Sequence, residues 1–462
     1  MPFTVKEIRK EARPMMRLAL PLVLSELGWM TMGVVDIMMV GRLPDSATAI
    51  GAVSLGSNIF FAIAIFGSGL MLGLDALVAQ SYGKGDVDDC HHSLLNALYF
   101  SLLLGPLLMA FMWMGWPLLD RLGEAPVVMK LAGEYLNALV WATLPLLWYF
   151  ALRRYLQSMD IVRPVMFSLV SANMINLIAN WVFIFGHWGF HPMGAVGSGW
   201  ATAMARLYMC IVLFLAVIFA DRKRGTKMFA SFAHRGFSPD FQRIKHIFLL
   251  GLPAALQLTM EVGVFATCTA LIGRLGAVAL AGSQVCLTTV SYTFMVPLGV
   301  SSAAAVRVGQ AVGRKNFAAA RQAGWTALLM GAGFMTMMSL LLWTVPGYIA
   351  RIFTDKSTIV EASIPLLAVA AIFQIFDGVQ IVCTGALRGV GDTKTAMYAS
   401  LIAYWVIGLP VGYWLCFYRG MGAIGFWIGL CAGLIIVAFW VLRAWYKHSQ
   451  GTQELLSGSS GS

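Results

Sequence analysis

Long apolar stretches follow one another almost without pause along this chain, and they leave it few ways to fold. Twelve can be marked off, at about 15–40, 49–78, 93–117, 131–152, 164–186, 195–220, 246–272, 278–306, 322–345, 363–387, 396–418 and 422–442, separated by short polar or glycine-rich breaks. About 20 mostly apolar residues cross the hydrocarbon core of a bilayer, so each stretch is long enough to span it. Composition agrees. Of the 462 residues, 59% are hydrophobic and 11% charged, whereas a soluble domain carries about a quarter charged residues. The expected fold class is therefore all-α integral membrane, with twelve transmembrane helices. The first stretch runs past signal length with no small-residue cleavage site before it, so it is expected to remain as a span.

The net charge of +11 is not gathered into one face or arm, which argues against a nucleic-acid partner. Lys and Arg sit in alternate loops instead. The N-terminus (Lys6, Arg9, Lys10, Arg13, Arg17), the even-numbered loops and the tail carry 24 of them, including Lys84, Arg153, Arg154, Arg163, Arg307, Arg314, Lys315, Arg321, Arg388, Lys394, Arg443, Lys447 and seven between Arg222 and Lys245. The opposite loops carry only Arg42, Arg121, Lys130, Arg274, Arg351, Lys356 and Arg419. By the positive-inside rule both termini are expected in the cytoplasm. Arg206, inside the sixth span, is left over. The seven cysteines are scattered without metal-site or disulfide spacing and read as small apolar fillers. The terminal Ser457–Ser462 run of Ser and Gly reads as an appended linker with no part in the fold.

The chain also matches itself weakly but in order. Leu20-Pro21 corresponds to Leu252-Pro253 and Gly41-Arg42-Leu43 to Gly273-Arg274-Leu275, both at a shift of 232. Gln80 to Lys84 matches Gln310 to Arg314 at a shift of 230, Asp160 falls on Asp392, and Gly194 to Gly197 corresponds to Gly422 to Gly425. Such a period implies duplication. Six spans per half is an even number, so the second half enters the membrane from the same side and the two six-helix repeats are parallel. The expected organisation is a lobe at 1–221, a basic cytoplasmic linker at 222–245, a lobe at 246–448 and a tail at 449–462, with a cleft between lobes that rock about the linker as in a carrier. A channel or scaffold is the alternative for such a duplicated bundle.

An ionisable side chain near the bilayer centre costs roughly 2.5–3.5 kcal/mol on insertion scales, so each one calls for a reason. The clear cases are Glu26 and Asp36 in the first span, Glu261 in the seventh and Asp377 in the tenth. Asp75 lies near the cytoplasmic end of the second span, where it is expected to reach water or cap loop amides. Asp36 has Gly33 and Gly41 on either side, which let a helix or ligand approach closely. Burial disfavours the charged form of a carboxyl group while an arriving cation favours it, so Asp36 can exchange protons for a cationic drug or serve as a helix–helix hydrogen bond. Asn176 and Asn180 are four residues apart, on one helical face. They line a polar pocket near Asp36 or join helices. Glu261 and Asp377, if brought together, either share a proton or bind a small cation, and hard cations prefer oxygen ligands. Phe373, one turn before Asp377, supplies no oxygen, which favours protons over Na⁺. Gln284 is a candidate neutral partner. The 27 Met and 28 Phe are mostly packing or lipid-facing, with a minority available as a soft wall for bulky cations. Pro21, Pro145, Pro253, Pro297 and Pro410 are candidate kinks.

Taken together, Val34 to Arg42, Val78 to Gly83, Pro297 to Gly313 and Thr384 to Lys394 resemble the MATE (multidrug and toxic compound extrusion) family over essentially the whole chain, in its NorM-like branch. The resemblance implies a V-shaped pair of six-helix lobes in the inner (cytoplasmic) membrane, acting as a monomer and a secondary antiporter. It would export small cationic organic substrates, drugs or dyes while H⁺ or Na⁺ enters, with no cofactor. It places Asp36, Asn176 and Asn180 in a first-lobe pocket for substrate or proton. It places Glu261 and Asp377, with Na⁺ as a possible metal, in a second-lobe cation site whose usual tyrosine is here Phe373. Trp29 stands where many bacterial relatives have glutamine, and Glu26 matches no family position. The alternative within transport is a flippase for a lipid-linked precursor, whose related fold usually adds spans and a strongly basic cavity. A membrane enzyme finds no support, since the chain lacks metal-ligand spacing, a Ser/His/Asp set and a phosphate-cradling glycine loop.

Overall fold

The computed structural model describes residues 5–119, 126–226, 228 and 238–458, all in helices and their connections. Arg121, Lys227, Arg235 and the end of the serine–glycine tail lie outside the described residues. The helices are α1 (Val5–Val40), α2 (Ser46–Lys84), α3 (Val87–Leu119), α4 (Pro126–Val140), α5 (Thr143–Ser158), α6 (Arg163–Phe185), α7 (Ala195–Arg224), α8 (Phe241–Gly273), α9 (Ala277–Gly313), α10 (Phe317–Thr344), α11 (Pro346–Phe353), α12 (Ser357–Val390), α13 (Lys394–Tyr418) and α14 (Ala423–Gly458). Among the described residues eleven helices are long and apolar enough to cross a membrane, and the bent pair α4–α5 makes a twelfth span. The chain is thus an all-α multi-pass membrane protein. On α3 the most exposed apolar residues are Leu103, Leu107, Phe111 and Met114, one helical face left open for lipid.

The fourth span, expected as one stretch at 131–152, is two helices meeting at 47°. The break falls at Trp141 and Ala142, and Pro145 explains its position. Proline lacks the N–H that would bond the carbonyl four residues earlier, and its ring clashes with that carbonyl, which belongs to Trp141. Thr143 Oγ1 donates 2.6 Å to the Val140 carbonyl at the same break. Pro410 lies between two stretches of α13 wound as π-helix, Leu401–Gly408 and Trp414–Tyr418, whereas Pro21, Pro253 and Pro297 sit inside unbroken helices.

Residues pack into two units, Leu24–Ala255 and, as the second, those up to Val23 together with those from Leu256 onward. The division does not fall in the 222–245 linker. It falls inside α1 and α8, at two points 232 residues apart. Each unit therefore contains the opening half of a helix whose remainder belongs to the other unit. In the first, the start of α8 packs on α2: a Cβ at Gly69 would overlap the backbone of Ala255, and Gly73 backs onto Ile247 and Gly251. Arg243 pairs with Asp89, and Phe248 meets Phe100 edge-on at 6.2 Å. In the second, the start of α1 packs on α9: a Cβ at Gly299 would lie 2.8 Å from the Val23 backbone nitrogen, and Arg307 Nε and Nη2 donate 2.9 and 2.7 Å to Glu11. Small residues permit this backbone-to-backbone approach.

The turns repeat as well as the helices. Gly85 (φ 82°) and Lys315 (φ 57°) occupy the same left-handed position, as do Gly194 (φ 56°) and Gly422 (φ 60°). After α5 and α12 the matching backbone bonds are Ile161 N to Leu156 O at 2.8 Å and Asp392 N to Leu387 O at 2.9 Å. That pairs left-handed Asp160 (φ 62°) with left-handed Gly391 (φ 93°), not with Asp392, a one-residue correction to the sequence alignment. Asp392 instead caps α13, accepting from the Thr395 amide at 3.1 Å and hydroxyl at 2.7 Å, and contacts His448 Nε2 at 3.1 Å. Partial burial works against its charge, but the bonds from His448 and Thr395 outweigh it and hold the carboxyl below its usual value.

Candidate functional site

In the first unit, α1, α6 and α7 bring Asp36, Asn176 and Asn180 together. Asp36 is 6% exposed and both asparagines are fully buried. Asn180 Nδ2 donates to Asp36 Oδ1 at 2.6 Å and Asn176 Nδ2 to the same oxygen at 3.1 Å. The helical spacing is what allows this, with Asn180 Nδ2 also reaching Asn176 Oδ1 at 3.2 Å. A fourth member, Thr202 of α7, donates its hydroxyl to Asp36 Oδ2 at 2.7 Å. Sequence alone gave no sign of Thr202, because small hydroxyl residues are ordinary packing residues in membrane helices. The donors to Asp36 are all neutral, so the carboxylate keeps its charge available for a proton or an organic ammonium group.

Two further acids of this unit are paired with arginines, and a third arginine rests on a ring. Glu26 pairs with Arg153, whose side chain is 2% exposed. Asp75 does not reach water or cap a loop. It is 2% exposed and faces Arg154 Nη1 at 3.6 Å. Arg153 and Arg154, counted above among loop charges, lie within α5 and neutralise two buried acids. Arg206, one turn beyond Thr202 on α7, stacks its guanidinium carbon 4.3 Å from the centre of the Phe60 ring.

In the second unit, Glu261 of α8 is the hub. Its Oε1 accepts from Gln380 Nε2 at 2.8 Å, Ser400 Oγ at 3.0 Å and Gln257 Nε2 at 3.1 Å. Asp377 of α12 is buried within electrostatic reach of Glu261. Two such carboxylates in a poorly solvated place share a proton or hold a cation between them. Gln284 does not join them: it is exposed on α9, and the amides come from Gln257 and Gln380. Gln257 was within reach of sequence reasoning, being one turn before Glu261 on the same face. Ser400 and Tyr404 of α13 were not. Tyr404 is buried and feels both carboxylates. Phe373 is packed edge-on against Phe265 and Trp427, 6.1 Å from each, and offers no oxygen. Among the described residues no three His, Cys, Asp or Glu side chains cluster as metal ligands. A Na⁺ here would be held by the Glu261 and Asp377 carboxylates, with the Ser400 hydroxyl beside Glu261 as a further oxygen.

The family model named MatE matches the chain twice, at residues 21–182 and 253–414, two segments offset by the same 232 residues as the internal repeat. A probable multidrug resistance protein NorM from Mesorhizobium japonicum is 36% identical over 423 residues, covering 90% of this chain and 89% of that protein. The multidrug resistance protein MdtK of Pectobacterium atrosepticum is 34% identical over 407 residues, covering 88% of each. Among solved structures, the eukaryotic MATE transporter AtDTX14 superposes with a TM-score of 0.85 at 21% identity, covering 97% of this chain and 99% of that one. That likeness speaks to the fold alone.

Proposed function

The chain belongs to the MatE family, and we propose that it is a secondary active antiporter that exports organic cations, drugs among them, in exchange for inward-moving protons. It is a transporter and not an enzyme, and it works from within the bilayer. The single observation that carries this reading is Asp36: a carboxylate buried in a membrane helix, held by Asn176, Asn180 and Thr202 and bonded to no fixed cation. Such a group has one charge to satisfy and two mobile ways to satisfy it, a proton or a cationic substrate. Because they exclude one another, uptake of one releases the other. The acid pair Glu261 and Asp377 supplies the second unit's cation site. Phe373 in place of an oxygen ligand supports H⁺ rather than Na⁺ there. The flippase alternative is not favoured, because the relatives carry multidrug-resistance names and both sites are acidic. We place the protein in the inner membrane as a monomer, with both termini in the cytoplasm and two six-helix repeats joined along the chain by 222–245.

The test is transport by purified protein in liposomes. Ethidium should move under an imposed pH gradient and not under a Na⁺ gradient of equal size. If neither gradient moves it, the antiporter reading fails; if only Na⁺ does, the choice of protons fails. Asp36→Asn and Asp377→Asn should each abolish gradient-driven movement while the protein still inserts and purifies. Full activity in both would overturn the site assignment.

A further inference from the structure

Arg206 is the one basic residue that neither the loop charges nor the buried ion pairs absorb. It lies on α7, four residues after Thr202, and so on the helical face that carries the Asp36 hydrogen bond. Its Nε and Nη1 are buried with no hydrogen-bond partner, and its guanidinium rests on the buried face of Phe60 from α2. Two guanidinium nitrogens without partners away from water are costly, and a ring face returns only part of what is lost. Beside Asp36, Asn180 Oδ1 is also buried without a donor. Donors on Arg206 and an acceptor on Asn180 are thus both buried without partners, the first one turn of α7 beyond Thr202 and the second on a side chain that itself bonds Asp36. Among the described residues, the titratable groups that face Arg206 are Tyr135 of α4, whose hydroxyl meets Ser57 of α2 at 2.9 Å, and Asp36 of α1. Asn176 and Asn180 of α6 and Thr202 of α7 are neutral.

We propose that Arg206 is a tethered counterion for Asp36: it rests on Phe60 while Asp36 carries a proton or an organic cation, and turns toward Asp36 and the Asn180 oxygen when that cargo leaves. This rests on the antiporter reading and gives it a missing part. An exchanger must release one cation before the other arrives, and a bare buried carboxylate would resist that release. A cation on a flexible side chain four residues from Thr202 makes the empty state accessible without leaving the site. Arg206 is a positioning residue in this scheme, since cargo binds to Asp36.

The scheme fixes an unusual pH signature. Removing a nearby positive charge strengthens the hold of Asp36 on a proton and on an organic cation by the same factor, about tenfold for charges roughly 10 Å apart at an effective dielectric near 20. In acid the two gains cancel in competition. In alkali only the cation's gain remains. Ethidium binding to the purified protein in detergent, followed by fluorescence polarisation from pH 5 to 9, reads this directly. Arg206→Gln should leave affinity unchanged at the acid end, raise it about tenfold at the alkaline end, and move the midpoint up by about one pH unit. Arg206→Lys, which keeps the charge, should restore the wild-type midpoint. Phe60→Leu removes the resting place without touching the charge and should move the midpoint the opposite way. Uniformly weaker binding in Arg206→Gln at every pH, a midpoint unmoved by it, or an unmoved midpoint in folded Phe60→Leu would each overturn the proposal. Wild-type protein that binds no ethidium at any pH would instead count against the antiporter reading.

Discussion

Glu26 and Arg153 form the ion pair whose removal should be felt most. Their side chains are 12% and 2% exposed, so the pair is screened by neither water nor salt. Two opposite charges about 3 Å apart attract by roughly 5 kcal/mol at an effective dielectric of 20, before the cost of dehydrating them. Glu26→Gln gives up the attraction but recovers none of that cost, because Arg153 remains buried in α5 with its charge. Breaking one partner of a buried pair typically costs 3–5 kcal/mol, whereas removing both with apolar replacement is often close to neutral. Glu26→Gln should therefore lose about 3–5 kcal/mol, and Glu26→Gln/Arg153→Met should recover most of it. Arg154 and Asp75 stay paired throughout, so the double variant strands no charge. The protein carries its own reporter. All seven cysteines are free and buried, so a thiol-reactive dye stays dark until the fold opens, and unfolding can be followed in mixed micelles. Two single variants that each lose less than about 1 kcal/mol, with losses that simply add, would show that the pair is not the buried, coupled unit described.

Thr202→Val removes one of three donors to Asp36 at nearly constant volume, and a hydrogen bond to a charged group is worth about 1.5–3 kcal/mol; the loss falls on the charged carboxylate, so protons compete better and the midpoint of ethidium binding against pH should move up by about one unit or more. Asp392→Ala should destabilise the protein at neutral pH. Because bonding holds the native carboxyl below its unfolded value, the stabilisation is complete above about pH 5 and fades as the pH falls through about 4 and below; wild type and variant melting temperatures should converge there, and a gap that persists would mean the Asp392 contacts do not depend on its charge. Gly299→Val places a branched side chain against the Val23 backbone and should prevent stable assembly of the second unit, while Gly333→Ala on α10, with open space around its Cα, should be silent in the same unfolding assay.

The helices were largely legible because lipid imposes one rule on every span, a long apolar run, and the duplication showed in the ordered matches from Leu20 to Gly425. What escaped was whatever depended on meeting across helices. Arg153 and Arg154 looked like loop charges because counting by position cannot tell a helix end from a turn, and only the arrival of Glu26 and Asp75 shows why two arginines lie inside α5. Asn176 and Asn180 were legible as a pair, since four-residue spacing is local, but their meeting with Asp36 at 140 residues' separation was not. Thr202, Gln380 and Ser400 are ordinary residues made functional by position. Gln284 was the reverse, a polar residue in a span that the fold leaves exposed. The bend at Trp141 was foreshadowed by Pro145, although Pro253 and Pro297, the same residue type, leave their helices unbroken.

The two halves differ where chemistry is done, and the way they differ explains why duplication did not produce two copies of one site. At the 231-residue shift set by the turns before α6 and α13, Asn176 and Asn180 fall opposite apolar positions, each followed directly by a glycine, Gly408 and Gly412. Those glycines let α13 close onto α14: a Cβ at Gly408 would sit 3.0 Å from the Gly429 carbonyl, and one at Gly412 would sit 3.2 Å from Phe426 Cα. The space that holds the asparagine pair in the first unit is filled by backbone in the second. The exchange runs the other way at Glu261, which falls opposite Trp29, and there Trp29 stacks on Tyr149 at 6.4 Å with ring planes 16° apart. Each unit has thus packed over the place where its counterpart keeps a carboxylate. A second Asp36-type pocket would need α13 and α14 to separate, which no single substitution accomplishes, and the antiporter is left with two acidic clusters of different composition on one repeated frame. Sites so unlike in their side chains, neutral amides and a hydroxyl around a lone aspartate in one and an acid pair in the other, have no reason to titrate at the same pH or, on the reading proposed above, to load with the same cation.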